Sequence, residues 1–341
     1  MPFDDRRKIA VVGAGAVGAA SAYALMISGL VNELVLVDTN RGKAEGEAMD
    51  LAHGASFIKP IKIYAGEYEN CRDADIIIFS AGVAQKPGES RLELVFRNLE
   101  VLRQALLPSI SKDGDTILLM VTNPVDIMTY AAIRLLNLPP HRVIGSGTVL
   151  DSSRFRYLIS EHCQVEARNI HAYVVGEHGD TEVPLWSLAN IAGFPVQDFC
   201  CQRGIPCMDR EEITRRVREA AYEVIARKGA TYFAVGLAVK RICESILRDE
   251  NSILTVSGLI EGQYGIDDVC LSLPSIINRR GRMRVLAVPM APEEEEALRH
   301  SANTLKSVQE KLDLAPLPVA GINYFAPGYG YDQYREAGGY H

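Results

Sequence analysis

His178 stands in Gly176-Glu177-His178-Gly179-Asp180, a glycine-flanked loop that follows the apolar run 172–175. Loops held on a rigid scaffold are where catalytic groups concentrate, and none of the other six histidines (53, 141, 162, 171, 300 and 341) has such a setting. An imidazole titrates near neutral pH, so it can take up an alcohol proton as a hydride leaves the carbon, and return it in reverse. Acting on a hydroxy acid, such a base needs a cationic fork for the substrate carboxylate and a positive charge to polarise the carbonyl. Asp151-Ser152-Ser153-Arg154 places two candidates at i and i+3 of one helical face: Asp151 to orient the imidazole and Arg154 to clamp a carboxylate. An ordinary intrahelical ion pair has the same spacing, so both readings stand. The stretch Ala84-Gln85-Lys86-Pro87-Gly88-Glu89-Ser90-Arg91 likewise reads two ways. It is either a plain loop before a helix starting near Ser90, or a lid that carries Arg91 into the site and excludes water on closure.

A second chemical signal lies near the start of the chain. Gly13-Ala14-Gly15-Ala16-Val17-Gly18 fits GxGxxG. The first glycine permits the tight turn, the second lets backbone approach a pyrophosphate, and the third lets helix and strand pack closely. The motif follows a strand and opens a helix, and Asp38 ends the next strand twenty positions after Gly18. That spacing puts a carboxylate on the adenosine ribose hydroxyls. A carboxylate there would repel a 2′-phosphate, favouring NAD over NADP, with the nearby Arg41 and Lys43 as a counterweight.

The elements that must position these groups follow from periodicity. Residues 8–12, 34–37, 75–79, 117–121 and 142–144 are nearly continuous apolar runs, as strands buried on both faces should be. Helical patterns at 16–29, 41–53, 91–111 and 125–136 alternate with them, the signature of a parallel sheet with helical crossovers. The second half has helical stretches at 149–163, 210–227, 230–248 and 292–312, with short strands near 252–260, 267–273 and 284–288 in which antiparallel pairing is expected. The fold class is therefore α/β. An N-terminal Rossmann doubly wound parallel sheet spans 6–146, and a C-terminal α+β substrate domain with antiparallel strands spans 147–314. Residues 315–341 are rich in Gly, Pro and Tyr and form either a disordered tail or an arm that docks its tyrosines on a neighbouring subunit.

Composition bounds the rest. The 341 residues carry a net charge of −7, a poor match for nucleic acid or anionic lipid. No apolar run approaches the roughly 18 residues of a membrane span, and no signal peptide is visible, so a cytoplasmic location is expected. The seven cysteines include no CxxC pair and read as reduced thiols, and neither His162-Cys163 nor Cys200, Cys201 and Cys207 has zinc-ligand spacing, so no metal is expected. The run Glu293–Glu296 follows Pro292 at the start of the last helix, where it complements the helix dipole.

Taken in order, GAGAVG, AQKPGESR, VTNPVD, DSSRFR, GEHGDTEVP and KGATY closely resemble the L-lactate dehydrogenase family, bacterial type, within the lactate/malate dehydrogenase superfamily, over roughly residues 6–314. The resemblance implies that His178 is the proton donor and acceptor with Asp151 behind it. It also implies that Arg154 binds the substrate carboxylate and that Arg91 polarises the carbonyl. Asn123 would bridge substrate and nicotinamide ribose, and Thr231 would line the substrate pocket. Ser146 and the turn from Val121 to Asn123 would hold the nicotinamide end, while Val17, Asp38, Lys43, Tyr68, Gly82 and Val83 would contact the rest of NAD beside Gly13, Gly15 and Gly18. Gln85 would face the group attached to the substrate carbonyl. Being neutral, it leaves a second carboxylate without a countercharge and so favours pyruvate over oxaloacetate. Arg156 and His171 match positions that bind fructose 1,6-bisphosphate across a subunit interface in bacterial members. The implied protein is a cytoplasmic homotetramer, a dimer of dimers, interconverting pyruvate and lactate in glycolysis and fermentation. A malate dehydrogenase of the same architecture, and a catalytically silent redox-sensing or structural protein, are the alternatives.

Overall fold

The computed structural model describes residues 7–83, 91–110, 114–312 and 314. Six strands, β1 (Lys8–Val12), β2 (Glu33–Val37), β3 (Lys62–Ala65), β4 (Ile76–Phe79), β5 (Ile117–Met120) and β6 (Val143–Gly145), pair in parallel in the order β3-β2-β1-β4-β5-β6. Both faces are covered, which explains the unbroken apolar runs. Ala10 and Val12 of β1 join one core, with helices α3 (Arg91–Ser109) and α4 (Val125–Leu136). Ile9 and Val11 join the opposite core, with α1 (Ala16–Ser28) and α2 (Arg41–His53).

The second half begins with α5 (Val149–Cys163) and a series of two-residue strands: β7 (Ile170–His171), β8 (Val174–Val175), β9 (Val183–Pro184), β10 (Asn190–Ile191) and β11 (Phe194–Pro195). Helices α6 (Val196–Arg203), α7 (Arg210–Lys228) and α8 (Phe233–Leu247) come next. Then come β12 (Ser252–Leu254), β13 (Ser257–Glu261), β14 (Asp267–Ser272), β15 (Ser275–Asn278), β16 (Gly281–Val285) and α9 (Pro292–Gln309). Antiparallel pairing is present as expected, but it is shared out differently. β13 pairs with β6 through Ser257 and Gly145, and β14 pairs with β13, so the parallel sheet is extended to eight strands. The expected strand at 252–260 is divided, because Thr255 leaves the ladder to accept a hydrogen bond from the Thr148 amide. β12 thus joins β15 and β16 in a separate sheet. The expected strand at 284–288 lies earlier, at β16, where Arg282 is buried and its guanidinium bonds the Leu259 carbonyl. Strand β3, helix α6 and the two-residue strands have too short a period to be read from sequence.

Candidate active site

The short ladder β8–β9 pairs Val174 with Pro184 and Val175 with Val183, so residues 176–182 form the loop between them. Gly176 lies in the left-handed region at φ 86°, and a Cβ there would meet Ser301 Oγ at 2.8 Å, so glycine is required. Three anchors fix the start of this loop. Gly176 exchanges backbone hydrogen bonds of 2.9 Å with Ser272. The Glu177 amide donates to Ser301 Oγ at 2.8 Å, and the His178 amide donates to Asp126 Oδ2 at 2.7 Å. Asp126, in the first turn of α4, also accepts from Ser257 Oγ at 2.6 Å. The loop is therefore tied to the sheet, to α4 and to α9.

His178 Nδ1 meets Asp151 Oδ2 at 2.6 Å, and the other carboxylate oxygen of Asp151 accepts from Arg154 Nη1, also at 2.6 Å. The intrahelical ion pair at the Asp151–Arg154 spacing is present, and the same carboxylate also meets the imidazole. The side chain of Asp151 is 2% exposed, that of Arg154 17% and that of His178 24%. Burial alone would lower the imidazole pKa. The charge and hydrogen bond of Asp151, with the charges of Asp126 and Glu182, overcome it and push His178 up to about 9. Burial would raise Asp151, but His178 and Arg154 hold its carboxyl below the usual range. Burial pushes Asp126 up to about 6 against its hydrogen bonds from Ser257 and His178. Burial and the charge of Asp151 push Glu182 up to about 8. Among the described residues, Glu182 Oε1 is buried without a hydrogen-bond partner. Among the described residues, Asp151, His178 and Glu182 are the one grouping of three potential metal ligands, but Asp151 is engaged by His178 and Arg154, whose charge opposes a cation.

At the other end of the site, the glycine cluster is closely packed. A Cβ on Gly13 would lie 2.4 Å from the Ala81 amide nitrogen, and one on Gly18 would lie 1.9 Å from the Gly13 carbonyl oxygen. A Cβ added at Gly15 would meet nothing within 4 Å among the described residues, and Gly15 caps α1 with no side-chain hydrogen bond. Its open backbone at a helix N-terminus suits an anion, so the residues present fit a dinucleotide. Asp38 accepts from the Ala14 and Asn40 amides at 2.8 Å, fixing its carboxylate beside the turn. Its charge also reaches Tyr68, whose phenol is raised by burial and then by Asp38. Arg41 is committed to Glu45, at 2.8 Å, and to Glu67, which weakens it as a receptor for a further phosphate. Lys43 is exposed on α2, and Val17 and Gly18 lie in the first turn of α1.

Asn98 joins the remaining turns. It is buried on α3, accepts from the Val83 amide at 2.8 Å, and donates to the Asn123 carbonyl at 2.7 Å. Gly82 packs against it, and Val121, Asn123 and Ser146 come after the ends of β5 and β6. Thr231 is half-buried between α7 and α8. Arg91 opens α3, while Gln85 and Lys86 lie outside the described residues. Arg156 donates through Nε to the Ala172 carbonyl at 2.9 Å, which brings it beside the exposed His171.

Asp126, Ser257, Asn98 and Glu182 escape a reading of the sequence. Asp126 does leave a signal, an acidic residue directly after the Asn-Pro turn in VTNPVD. Asn98 and Glu182 leave none, because each acts across chain separations that no local pattern encodes.

The chain matches the family model of the lactate/malate dehydrogenase NAD binding domain over residues 7–145. It matches the model of the lactate/malate dehydrogenase alpha/beta C-terminal domain over 148–313. An L-lactate dehydrogenase of Acetivibrio thermocellus is 54% identical over 310 residues, covering 90% of this chain and 98% of the relative. One from Moorella thermoacetica is 53% identical over 310 residues, with the same coverages. The crystal structure of a minor L-lactate dehydrogenase from Enterococcus mundtii, in a ligands-bound form, superposes with a TM-score of 0.87 at 38% identity, covering 91% of this chain and all of that one.

Proposed function

The chain belongs to the lactate/malate dehydrogenase family, and from that premise we propose that it reversibly reduces pyruvate to (S)-lactate with NADH, as an L-lactate dehydrogenase. The observation that carries the reading is the series Arg154–Asp151–His178, centred on the buried Asp151 and tied through Gly176 and Ser272 to the sheet that also presents the glycine turn and Asp38. NAD would bind along that turn, held by Gly13, Gly15, Val17, Gly18, Asp38, Lys43, Tyr68, Gly82, Val83, Val121, Asn123 and Ser146, and its reduced form would supply the hydride. Nδ1 of His178 is taken by Asp151, so Nε2 is the atom that gives the proton to the substrate oxygen and recovers it in lactate oxidation. Asp151 stays ionised and stabilises the imidazolium. Arg154 spends one N–H on Asp151 and keeps others for the substrate carboxylate. Arg91 polarises the carbonyl from the segment after Gln85, and Asn123 and Thr231 complete the pocket.

Substrate choice rests on Gln85, whose neutral amide suits the methyl group of pyruvate and offers no countercharge to oxaloacetate. Absorbance assays of NADH oxidation with the two acids side by side test this reading. The expected result is the larger kcat/KM with pyruvate. A larger value with oxaloacetate makes the protein a malate dehydrogenase, and no turnover of either revives the silent fold.

Assembly as a homotetramer is supported by the apolar side chains left in solvent. Tyr23 and Ile27 of α1, Phe57, and Phe233 and Leu237 of α8 are all more than half exposed, and α1 packs on α8. The nearness of Arg156 and His171 supports fructose 1,6-bisphosphate as an effector across a subunit interface. Titration with the sugar phosphate should lower the apparent KM for pyruvate and favour the tetramer, and unchanged kinetics and assembly reject it. Among the described residues no helix is long and apolar enough to cross a membrane. The reading places the enzyme in the cytoplasm, regenerating NAD for glycolysis during fermentation.

A further inference from the structure

Two pairs of thiols lie around α6, one inside and one outside. Cys163 of α5 and Cys200 of α6 are fully buried, with their sulfurs 3.5 Å apart. Cys201 and Cys207 are both exposed. Their proximity follows from how α6 ends. Gly204 takes the left-handed conformation at φ 65°, and the amides of Gly204 and Ile205 bond back to the carbonyls of Cys201 and Cys200 at 3.1 and 2.9 Å. The chain therefore folds back over the helix it has just left. Gln197 and Cys201 are i,i+4 neighbours on one face of α6, and the Gln197 amide donates to Cys207 Sγ at 3.7 Å. The nearness of Cys207 helps hold the Cys201 thiol above its ordinary range. The Pro206 carbonyl bonds His162 Nε2 at 2.9 Å, and Arg210 bonds Gln197 at 3.1 Å, so the connection is held in place from both sides.

We propose that Cys201 and Cys207 form an oxidative modification site, at which a peroxide converts the two thiols into an intramolecular disulfide across the α6–α7 connection. The thiolate of Cys201 attacks a peroxide oxygen, giving a sulfenic acid and one water. The Cys207 sulfur then displaces the sulfenic hydroxyl, forming the S–S bond and releasing the second water. Two thiols lose two hydrogens and two electrons, and one peroxide becomes two waters. The buried pair stays reduced in the native protein: peroxide cannot reach it, and burial pushes the Cys163 thiol up to about 12. Burial and then Cys207 also raise the Cys201 thiol, so bridge formation accelerates with pH. The bridge tightens the approach to α7, whose N-cap Asp209 lies just beyond Cys207. That helix in turn holds the His178 loop through Arg218 on the Glu182 carbonyl and Tyr222 on Asp180.

The test uses the full chain, exposed to hydrogen peroxide at pH 7 and pH 9, alkylated, digested and mapped by mass spectrometry without reductant. The expected product is a Cys201–Cys207 linkage lighter by two hydrogens and reversed by dithiothreitol. It should form faster at pH 9, with Cys163 and Cys200 alkylated only after unfolding. Cys207→Ser should abolish the linkage and leave Cys201 as sulfenic or sulfinic acid. Pyruvate turnover should be unchanged by that substitution. Independent oxidation of the two thiols, a Cys200–Cys201 link, or a bridge between subunits would overturn the proposal. Should Cys207→Ser not fold, Cys201→Ser gives the same comparison from the other side.

Discussion

Asp151→Asn removes the charge behind His178 while keeping the shape of the side chain. In the native protein the imidazole is held at about 9 against an ordinary 6.5, a preference for the protonated form of about 3 kcal/mol. Burial works against that preference, so without the carboxylate charge His178 should fall to the ordinary range or below. Pyruvate reduction needs the protonated ring. At pH 7.5 an imidazole of pKa about 6.5 is only about one-tenth protonated, so kcat/KM should drop about tenfold from this cause alone. Loss of orientation adds to it. The assay is kcat/KM for pyruvate from pH 5 to pH 10, followed by NADH absorbance. The native downturn should lie near pH 9 and the variant's near or below 6.5. Lactate oxidation needs the neutral ring, so its profile should rise where the other falls, and the variant should be favoured at lower pH. NADH affinity, read by fluorescence, should be unchanged. Coincident downturns in the native and variant profiles would refute the claim that Asp151 sets the protonation of His178. The same shift has a sign for stability: the His178 contribution is complete below about pH 6.5 and is lost as pH rises through about 9.

His178→Ala should lower kcat by several orders of magnitude with NADH still bound, and Arg154→Lys should mainly raise KM for pyruvate, because an ammonium cannot present two parallel donors; steady-state kinetics separate the two. Asp38→Ser should narrow a strong preference for NAD over NADP, and equal efficiency with both in the unmodified protein would sink the role given to that carboxylate. Gln85→Arg should move preference toward oxaloacetate by orders of magnitude while Lys86→Ala does little, measured as the ratio of kcat/KM values. Glu182→Gln should stabilise the protein on the order of 2 kcal/mol at pH 7 and little at pH 4. The sign follows because the folded-state pKa of about 8 makes native Glu182 progressively costlier as pH rises above its ordinary 4.5; chemical denaturation at the two pH values reads the difference.

Much of the fold is legible in the sequence because its signals are local. A strand covered on both faces must be apolar at every position, so β1, β4 and β5 stand out as runs, and the turn at Gly13 needs a glycine whatever lies elsewhere. His178, Asp151 and Arg154 are likewise visible as residue types in informative settings. Their joining is not. The hydrogen bond from His178 to Asp151 spans 27 residues, that from Ser257 to Asp126 spans 131, and the bond of the Glu177 amide to Ser301 spans 124. Periodicity carries no information over such separations, which is why Asn98, Glu182 and the split between β12 and β13 leave no readable trace, and why the partners of Asp126 cannot be read from its motif. Residue order is enough to say which groups exist and which elements carry them. Packing alone sets Asp151 to serve both Arg154 and His178, lets burial and three carboxyls together govern the imidazole's proton, and brings the segment of Cys207 back over the helix that carries Cys201. Each of these depends on distance and exclusion of water, and both are properties of the packed chain.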